Sequence, residues 1–379
     1  MRKLFIALSL LLALAAPAVA ESHPILALGS PAPAFNLPGV DGKTHALGDY
    51  AKSPILAVVF TCNHCPIAQI YEQRIEKLYE DYGPRGVAVV AIQGNDPNAL
   101  TIDELDSSDM SDTLDEMKAR VAWKHLRYPY LYDGETQAVT RAYGPQATPH
   151  IFIFDKDRRL RYEGRIDDNY RMEKVTTRDA RNAIDALLAG KEVAVTHTGA
   201  FGCSTKWQEK ESLRAAAEQK LNAQPISVDT VDAEGLKKLR ANQGENFTLV
   251  SFWATWCGSC VAEFADIQNL FRMYSDRGFN LVTVSANGPD EKPGVLKFLQ
   301  RKHATSSNLL FASDDAAALQ KAFDPQWQSA VPYTVLLAPG GKVLYSTMGS
   351  VDQIELRRKI LASVPAEYEG FQKYWQEGN

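Results

Sequence analysis

Two Cys-x-x-Cys motifs, Cys62-Asn63-His64-Cys65 and Cys257-Gly258-Ser259-Cys260, each stand between a short apolar run and a stretch of helical periodicity. Residues 55–61 precede the first motif and residues 248–253 the second, and both runs have the length and β-branched or aromatic content of buried strands. Residues 65–82 and 259–276 follow with apolar residues at helical spacing. The chain must therefore build strand, tight turn and helix twice, with a pair of thiols at each turn. Four of its five cysteines are thereby assigned to chemistry rather than to packing.

The remaining pattern repeats the alternation. In the first half, strands are expected at 55–61, 87–93, 151–154 and 160–164, with helices at 65–82, 112–123, 136–143 and 177–188. In the second half, strands are expected at 248–253, 280–284, 333–337 and 342–346, with helices at 231–241, 259–276, 294–302, 316–323 and 352–361. Alternating strands and helices closed by a strand pair and a helix imply a mixed sheet covered on both faces. Residues 204–221 are charged, with Ala at helical spacing, and read as a connecting helix before a short linker. The acidic stretch 103–116 reads as a solvated loop and helix start. The tail carries Tyr368, Phe371, Tyr374 and Trp375 at three- to four-residue spacing, as expected for an amphipathic helix docked on the second half.

The first twenty residues have the features of a cleaved export signal. Arg2 and Lys3 form a positive start, residues 4–16 an apolar stretch, and Ala18-Val19-Ala20 a small-residue cleavage site. The apolar stretch falls short of the roughly 20 residues that a membrane span needs. The expectation is an exported, periplasmic or extracytoplasmic protein without stable membrane insertion. A formal net charge of −5 and the absence of a basic run argue against nucleic acid as a partner. Five cysteines are too few for a disulfide scaffold in a chain of 379 residues.

A reactive thiol acts as its thiolate, and a free cysteine is mostly protonated at neutral pH. A helix N-terminus supplies unpaired N–H groups and partial positive charge that favour the anion. The first cysteine of each motif, Cys62 and Cys257, is expected at the helix start as nucleophile. Cys65 and Cys260, one turn on, resolve the mixed disulfide. His64, when protonated, favours the ionised, reduced state of its pair. Gly258-Ser259 brings no charge, so the second pair is expected to be the more reducing. Zinc would need the two pairs at ribbon-like spacing, which they lack. Pro149 and Pro332 each stand just before an expected strand, where proline requires a special turn. Such a turn beside the thiols leaves backbone groups to pair with an extended peptide.

On these motifs the chain resembles the thioredoxin superfamily along nearly all of its mature length. Residues 249–264, Leu-Val-Ser-Phe-Trp-Ala-Thr-Trp-Cys-Gly-Ser-Cys-Val-Ala-Glu-Phe, resemble the TlpA/ResA branch of exported thiol–disulfide reductases. That resemblance implies a thiol-tuning role for Glu263. Pro31-Ala32-Pro33-Ala34-Phe35-Asn36-Leu37, Asp41-Gly42-Lys43, Thr61-Cys62-Asn63-His64-Cys65-Pro66 and Gly164-Arg165-Ile166-Asp167-Asp168 resemble a Cys-x-x-Cys subgroup of the peroxiredoxin-like redoxins, the AhpC/TSA group. Peroxiredoxins carry Thr three residues before a peroxide-reactive Cys-Pro, and here Cys62 replaces that Thr. Arg161 or Arg165 would be the arginine such chemistry needs. Cys203, in a Gly-Cys-Ser element that the subgroup shares, is a possible third thiol that resolves a mixed disulfide or sulfenic acid.

The fold class expected is α/β, with two tandem thioredoxin folds, each a mixed central sheet flanked by helices. The divisions are a signal peptide 1–20, a redoxin domain 25–205, a helical linker 206–225, a TlpA-like domain 226–364 and an aromatic tail 365–379. The function expected is thiol–disulfide oxidoreduction by two dithiol centres, with electrons passing between them and no cofactor or metal. Partners would be protein or small-molecule thiols and disulfides, or peroxides, with a reductant at the membrane or in the exported compartment. A thiol peroxidase with a fused reductant is the alternative enzyme. A Cu(I) carrier using Cys62, Cys65 and Cys203 is the alternative of another class.

Overall fold

The computed structural model describes residues 23–328, 330–369 and 371–376; the expected signal peptide lies outside them. None of the described helices is long and apolar enough to cross a membrane. Two sheets organise the described residues. The first has five strands in the order Tyr130–Tyr132, Val87–Gln93, Ile55–Thr61, His150–Phe154 and Leu160–Gly164. Ile55–Thr61 is central and buried at all seven positions, which is why its sequence is a continuous apolar run rather than an alternating one. It pairs in parallel with Val87–Gln93 and antiparallel with His150–Phe154.

The second sheet has six strands in the order Asp229–Val231, Ser307–Phe311, Phe279–Ser285, Phe247–Trp253, Tyr333–Leu337 and Val343–Met348. Phe247–Trp253 occupies the place of Ile55–Thr61, parallel to Phe279–Ser285 and antiparallel to Tyr333–Leu337. The mixed-sheet α/β expectation therefore holds in both halves. Each sheet is packed on both faces. One face of the first sheet meets the helix Pro66–Tyr82 through Ala68, Tyr71, Ile75 and Leu78, and its other face is filled by Phe60, Phe152, Phe154 and Tyr143. The hairpin Asn36–Pro38 with Thr44–Ala46 turns at Asp41-Gly42, where Gly42 has a φ of 77°.

In the two main sheets, three strands escaped the sequence reading, Tyr130–Tyr132, Asp229–Val231 and Ser307–Phe311. The first two are only three residues long, too short for alternation to register. The connecting helix is Glu211–Asn222, starting later than expected, because Cys203–Ser204 is instead a strand paired with Ala147–Thr148.

The acidic stretch 103–116 is not a solvated loop. Asp109 and Asp112 are fully buried. Asp109 is paired with Arg120 on the first half and accepts from Arg358 Nε of the second half at 2.8 Å. Tyr274 Oη donates to Ser108 O at 2.7 Å, and Arg277 donates to Asp106 O at 2.9 Å. The stretch lies at the seam between the two sheets, where the charge of Asp109 is matched by arginines from both sides.

The tail docks as expected and also reaches beyond. Phe371–Gln376 is helical and packs on the second half through Phe371 and Trp375, and it touches the first half as well. Trp375 stacks on Trp123 at 5.7 Å, and Tyr374 Oη donates to Glu72 at 2.7 Å while accepting from Arg120 at 2.8 Å. Tyr368 packs against the core of the first half.

Candidate functional site

In the second half, the helix Gly258–Tyr274 begins directly after Cys257, whose sulfur accepts from Cys260 N–H at 3.2 Å. Cys257 and Cys260 are joined in a disulfide. Val331 O, on the residue before Pro332, lies 3.6 Å from Cys257 Sγ, and the Val331–Pro332 bond is cis. Behind the pair, Trp253, Phe264 and Phe298 form a dry aromatic wall with centroids 4.7–5.1 Å apart. In front, Trp256 is 65% exposed and Gly258 and Ser259 are exposed. Glu263 is half-buried, and its carboxylate accepts from Val351 N–H at 3.1 Å. Burial raises its pKa above the ordinary glutamate value against that bond.

The first half has the same frame with its motif out of step. The helix begins at Pro66, so Cys65, not Cys62, is the residue at the helix start. Pro66 fixes this boundary, since proline suits the first helical position and needs no donor there. Cys65 follows its strand end Thr61 by four residues, as Cys257 follows Trp253. Cys65 Sγ lies 3.4 Å from Thr148 O, on the residue before the cis bond to Pro149. Cys62 falls one turn earlier, in the loop, with its sulfur 3.1 Å from Thr148 Oγ1. Cys62, Cys65 and Cys203 are free thiols.

These thiols are not equivalent. Burial opposes ionisation at Cys65, but bonds from the Cys203 and Cys62 thiols, the His64 charge and the Ala68 N–H outweigh it and hold the group well below the ordinary cysteine value. Burial and the bond to Cys65 push Cys62 well above that value. The bond to Cys65, with burial, pushes Cys203 up as well. Cys203 also directs its backbone N–H at Cys65 Sγ, 3.2 Å away. A single negative charge is thus favoured at Cys65, with protonated thiols on either side.

His64 is buried, and its Nδ1 contacts Asp112 Oδ2 at 2.6 Å. Burial works against the imidazolium, yet the Asp112 charge and bond raise the His64 pKa overall. Asp112 itself is lowered despite burial, through His64 and Asn95. The sequence reading missed Asp112 as a functional residue, because nothing local marks one buried carboxylate within an acidic run. Cys62, His64 and Asp112 bring one donor atom each within 4.8 Å of one another. Both Asp112 oxygens already accept two donors each: Asn63 N and His64 N on Oδ1, His64 Nδ1 and Asn95 Nδ2 on Oδ2. Asp112 is therefore saturated as an acceptor, while His64 Nε2 is buried without a hydrogen-bond partner among the described residues. Arg161 and Arg165 are committed elsewhere, at 2.5 Å to Asp155 and 2.8 Å to Asp179.

Comparison with known proteins gives the same frame a family. The Redoxin family matches residues 27–184 and again 216–361. The thiol-disulfide oxidoreductase ResA of Oceanobacillus iheyensis is 40% identical over 42 residues, 11% of this chain and 22% of that protein. ResA of Bacillus subtilis is 26% identical over 121 residues, 32% of this chain and 63% of that protein. The chain thus spans less than two thirds of the length of these relatives. Among solved structures, a hypothetical protein from Sinorhizobium meliloti is 36% identical, with 49% of this chain and 97% of that one covered at a TM-score of 0.44. Matched twice by one family model, over most of its length, the chain belongs to the Redoxin family of the thioredoxin superfamily.

Proposed function

We propose that this chain is an exported thiol–disulfide oxidoreductase with two thiol centres, Cys62/Cys65 and Cys257/Cys260. The observation that carries this reading is the matched placement of Cys65 and Cys257. Each follows a central strand by four residues, starts a helix and faces the carbonyl before a cis-proline, at 3.4 and 3.6 Å. The curated relatives named above are thiol-disulfide oxidoreductases, which supports the same chemistry. Cys65 and Cys257 are the nucleophiles, so in the first half the role passes from the first cysteine of the motif to the second.

Electrons run from the Cys257/Cys260 dithiol to the first centre. The motivation is His64, whose charge beside Cys65 stabilises the reduced, ionised state and makes the first centre the better oxidant. The second centre is buried but lies directly beside exposed Trp256, Gly258 and Ser259, a surface suited to meeting an external reductant.

The test equilibrates the full-length protein with glutathione redox buffers, with one centre at a time disabled by Cys62→Ser/Cys65→Ser or Cys257→Ser/Cys260→Ser. The expected order places Cys257/Cys260 at the more negative potential, and the reverse order overturns the direction. Failure of the intact protein to reduce insulin disulfides in the presence of dithiothreitol overturns the oxidoreductase reading itself.

A further inference from the structure

The edge that an extended peptide would use beside the first centre is already occupied by the chain itself. Cys203–Ser204 pairs antiparallel with Ala147–Thr148, and Cys203 stands opposite Thr148, the residue before Pro149. In the second half, Val331 has the same place, and among the described residues no strand ladder includes it. An antiparallel strand at such an edge sets one residue against the reactive sulfur. Here that residue is a cysteine, with its N–H 3.2 Å from Cys65 Sγ.

The segment is firmly seated. Gly202 has a φ of 135°, and a Cβ there would stand 2.0 Å from Thr148 O, so only glycine permits this approach. Thr205 Oγ1 donates to Pro145 O at 2.7 Å, and Lys206 N–H donates to Asn95 Oδ1 at 2.8 Å. Gln137 Nε2 and Asp96 N–H both donate to Lys206 O, at 2.8 and 2.9 Å. Of the three thiols, Cys62 and Cys65 are buried, and Cys203 alone is partly exposed.

We propose that Cys203 is held in the position of a substrate peptide and is the exchange partner of Cys65, so that the first centre turns over through a Cys65–Cys203 disulfide. The proposal rests on the oxidoreductase reading above and adds the pairing within one centre. Cys65 thiolate attacks one sulfur of a disulfide RS–SR′; a Cys65–SR bond forms, and R′S⁻ leaves and takes up a proton. Cys203 then loses its proton and attacks Cys65 Sγ. The Cys65–Cys203 bond forms, the Cys65–SR bond breaks, and RS⁻ leaves and is protonated. The substrate disulfide has gained two electrons, and the two cysteines have lost them. A dithiol, Cys257/Cys260 or an external one, returns the pair to the reduced state. Because the peptide edge is filled, the substrates this centre suits are small disulfides rather than folded polypeptides.

The test uses the full chain with Cys62→Ala, reduced, freed of reductant and oxidised with a small excess of oxidised glutathione. Blocked peptides are then mapped by mass spectrometry. The expected product is an intramolecular Cys65–Cys203 disulfide. Glutathione retained on Cys65 with Cys203 free overturns the proposal. Gly202→Ala removes no thiol but pushes the strand that carries Cys203 away from Thr148. It should slow formation of that disulfide on the order of tenfold or more, and an unchanged rate overturns the substrate-position reading. Insulin reduction by the unaltered protein separates the two levels. With reduction intact but the Cys65–Cys203 bond absent, this inference fails and the oxidoreductase reading stands.

Discussion

Cys65 and Ala68 are the counterparts of Cys257 and Cys260. The N–H of Cys260 bonds Cys257 Sγ at 3.2 Å, whereas Cys65 Sγ takes its backbone N–H from Cys203, also at 3.2 Å. Gln69 N–H donates to Cys65 O and Val261 N–H to Cys257 O, each at 3.0 Å. The two Cys-x-x-Cys motifs are therefore one turn out of register within a shared frame. The second reaches forward into its helix, and the first reaches back into the loop, where Cys62 stands in the place of Ala254. Two thiol pairs of equal spacing have in this way unequal charge and different partners.

The displaced register can be tested by moving a thiol. Ala68→Cys, in a Cys62→Ala/Cys203→Ala background, should restore to the first half the pairing seen in the second. Mass spectrometry after oxidation should find Cys65 bonded to the introduced thiol. The site is fully buried, so the added sulfur should cost about 1–2 kcal/mol of stability in urea unfolding. A Cys65 that stays free would show that the two frames do not correspond.

A second consequence concerns charge. Thiolate absorbance in the ultraviolet, followed against pH with Cys257 and Cys260 kept oxidised, should show one group ionising well below the ordinary cysteine range. Cys65→Ala should abolish that transition and Cys62→Ala should keep it, because Cys65 is the lowered thiol and Cys62 the raised one. Loss of the low transition on Cys62→Ala alone would reverse the assignment.

Asp112 anchors the same site. Asp112→Asn removes the anion beside His64 and replaces two acceptor positions with a donor. Breaking one side of a buried pair costs about 3–5 kcal/mol. The pH dependence follows from the two shifts. His64 is raised in the folded state, so its contribution is full below its unfolded pKa of about 6.5 and is lost as pH rises through the folded value. Asp112 is lowered, so its contribution is present above about pH 4 and is lost as pH falls through the folded value. The stability gap between the unaltered protein and Asp112→Asn should be widest between about pH 4 and 6.5 and should narrow toward alkaline pH. Urea unfolding at pH 5 and pH 9 measures it, and a gap that widens at pH 9 rejects the ion pair.

Much of this frame was legible in the sequence, and the exceptions have physical causes. Ile55–Thr61 and Val87–Gln93 are legible to the residue because long buried strands are β-branched runs with clear ends, and Leu160–Gly164 is legible too, closed by its glycine. The thiols were legible from their spacing. Their order of reactivity was not, since it depends on where the helix begins, and Pro66 moved that start past Cys62. Asp109 and Asp112 looked like solvated acids because their partners Arg120, Arg358 and His64 are distant in sequence or carry no mark of burial. The strand Cys203–Ser204 is two residues long and exists only because Thr148 is there to receive it.

The tail is the remaining case of long-range partnership. Tyr374 lies between Glu72 and Arg120 of the first half, while Phe371 and Trp375 belong to the core of the second. Tyr374→Phe removes only the hydroxyl that Arg120 and Glu72 share, leaving both charges less satisfied, and should cost about 2 kcal/mol. Trp375→Ala opens a cavity against Trp123 and Phe371 and should cost about 3–5 kcal/mol. Both losses should appear as weakened coupling between halves: a single thermal transition should split into two, followed by calorimetry. The thiols of the first half should then gain reactivity toward a maleimide probe, because Tyr368, packed on the core that holds Cys62 and Cys65, leaves with the tail. Tail variants that unfold in one transition at the unaltered temperature would show that the helix merely rests on the seam.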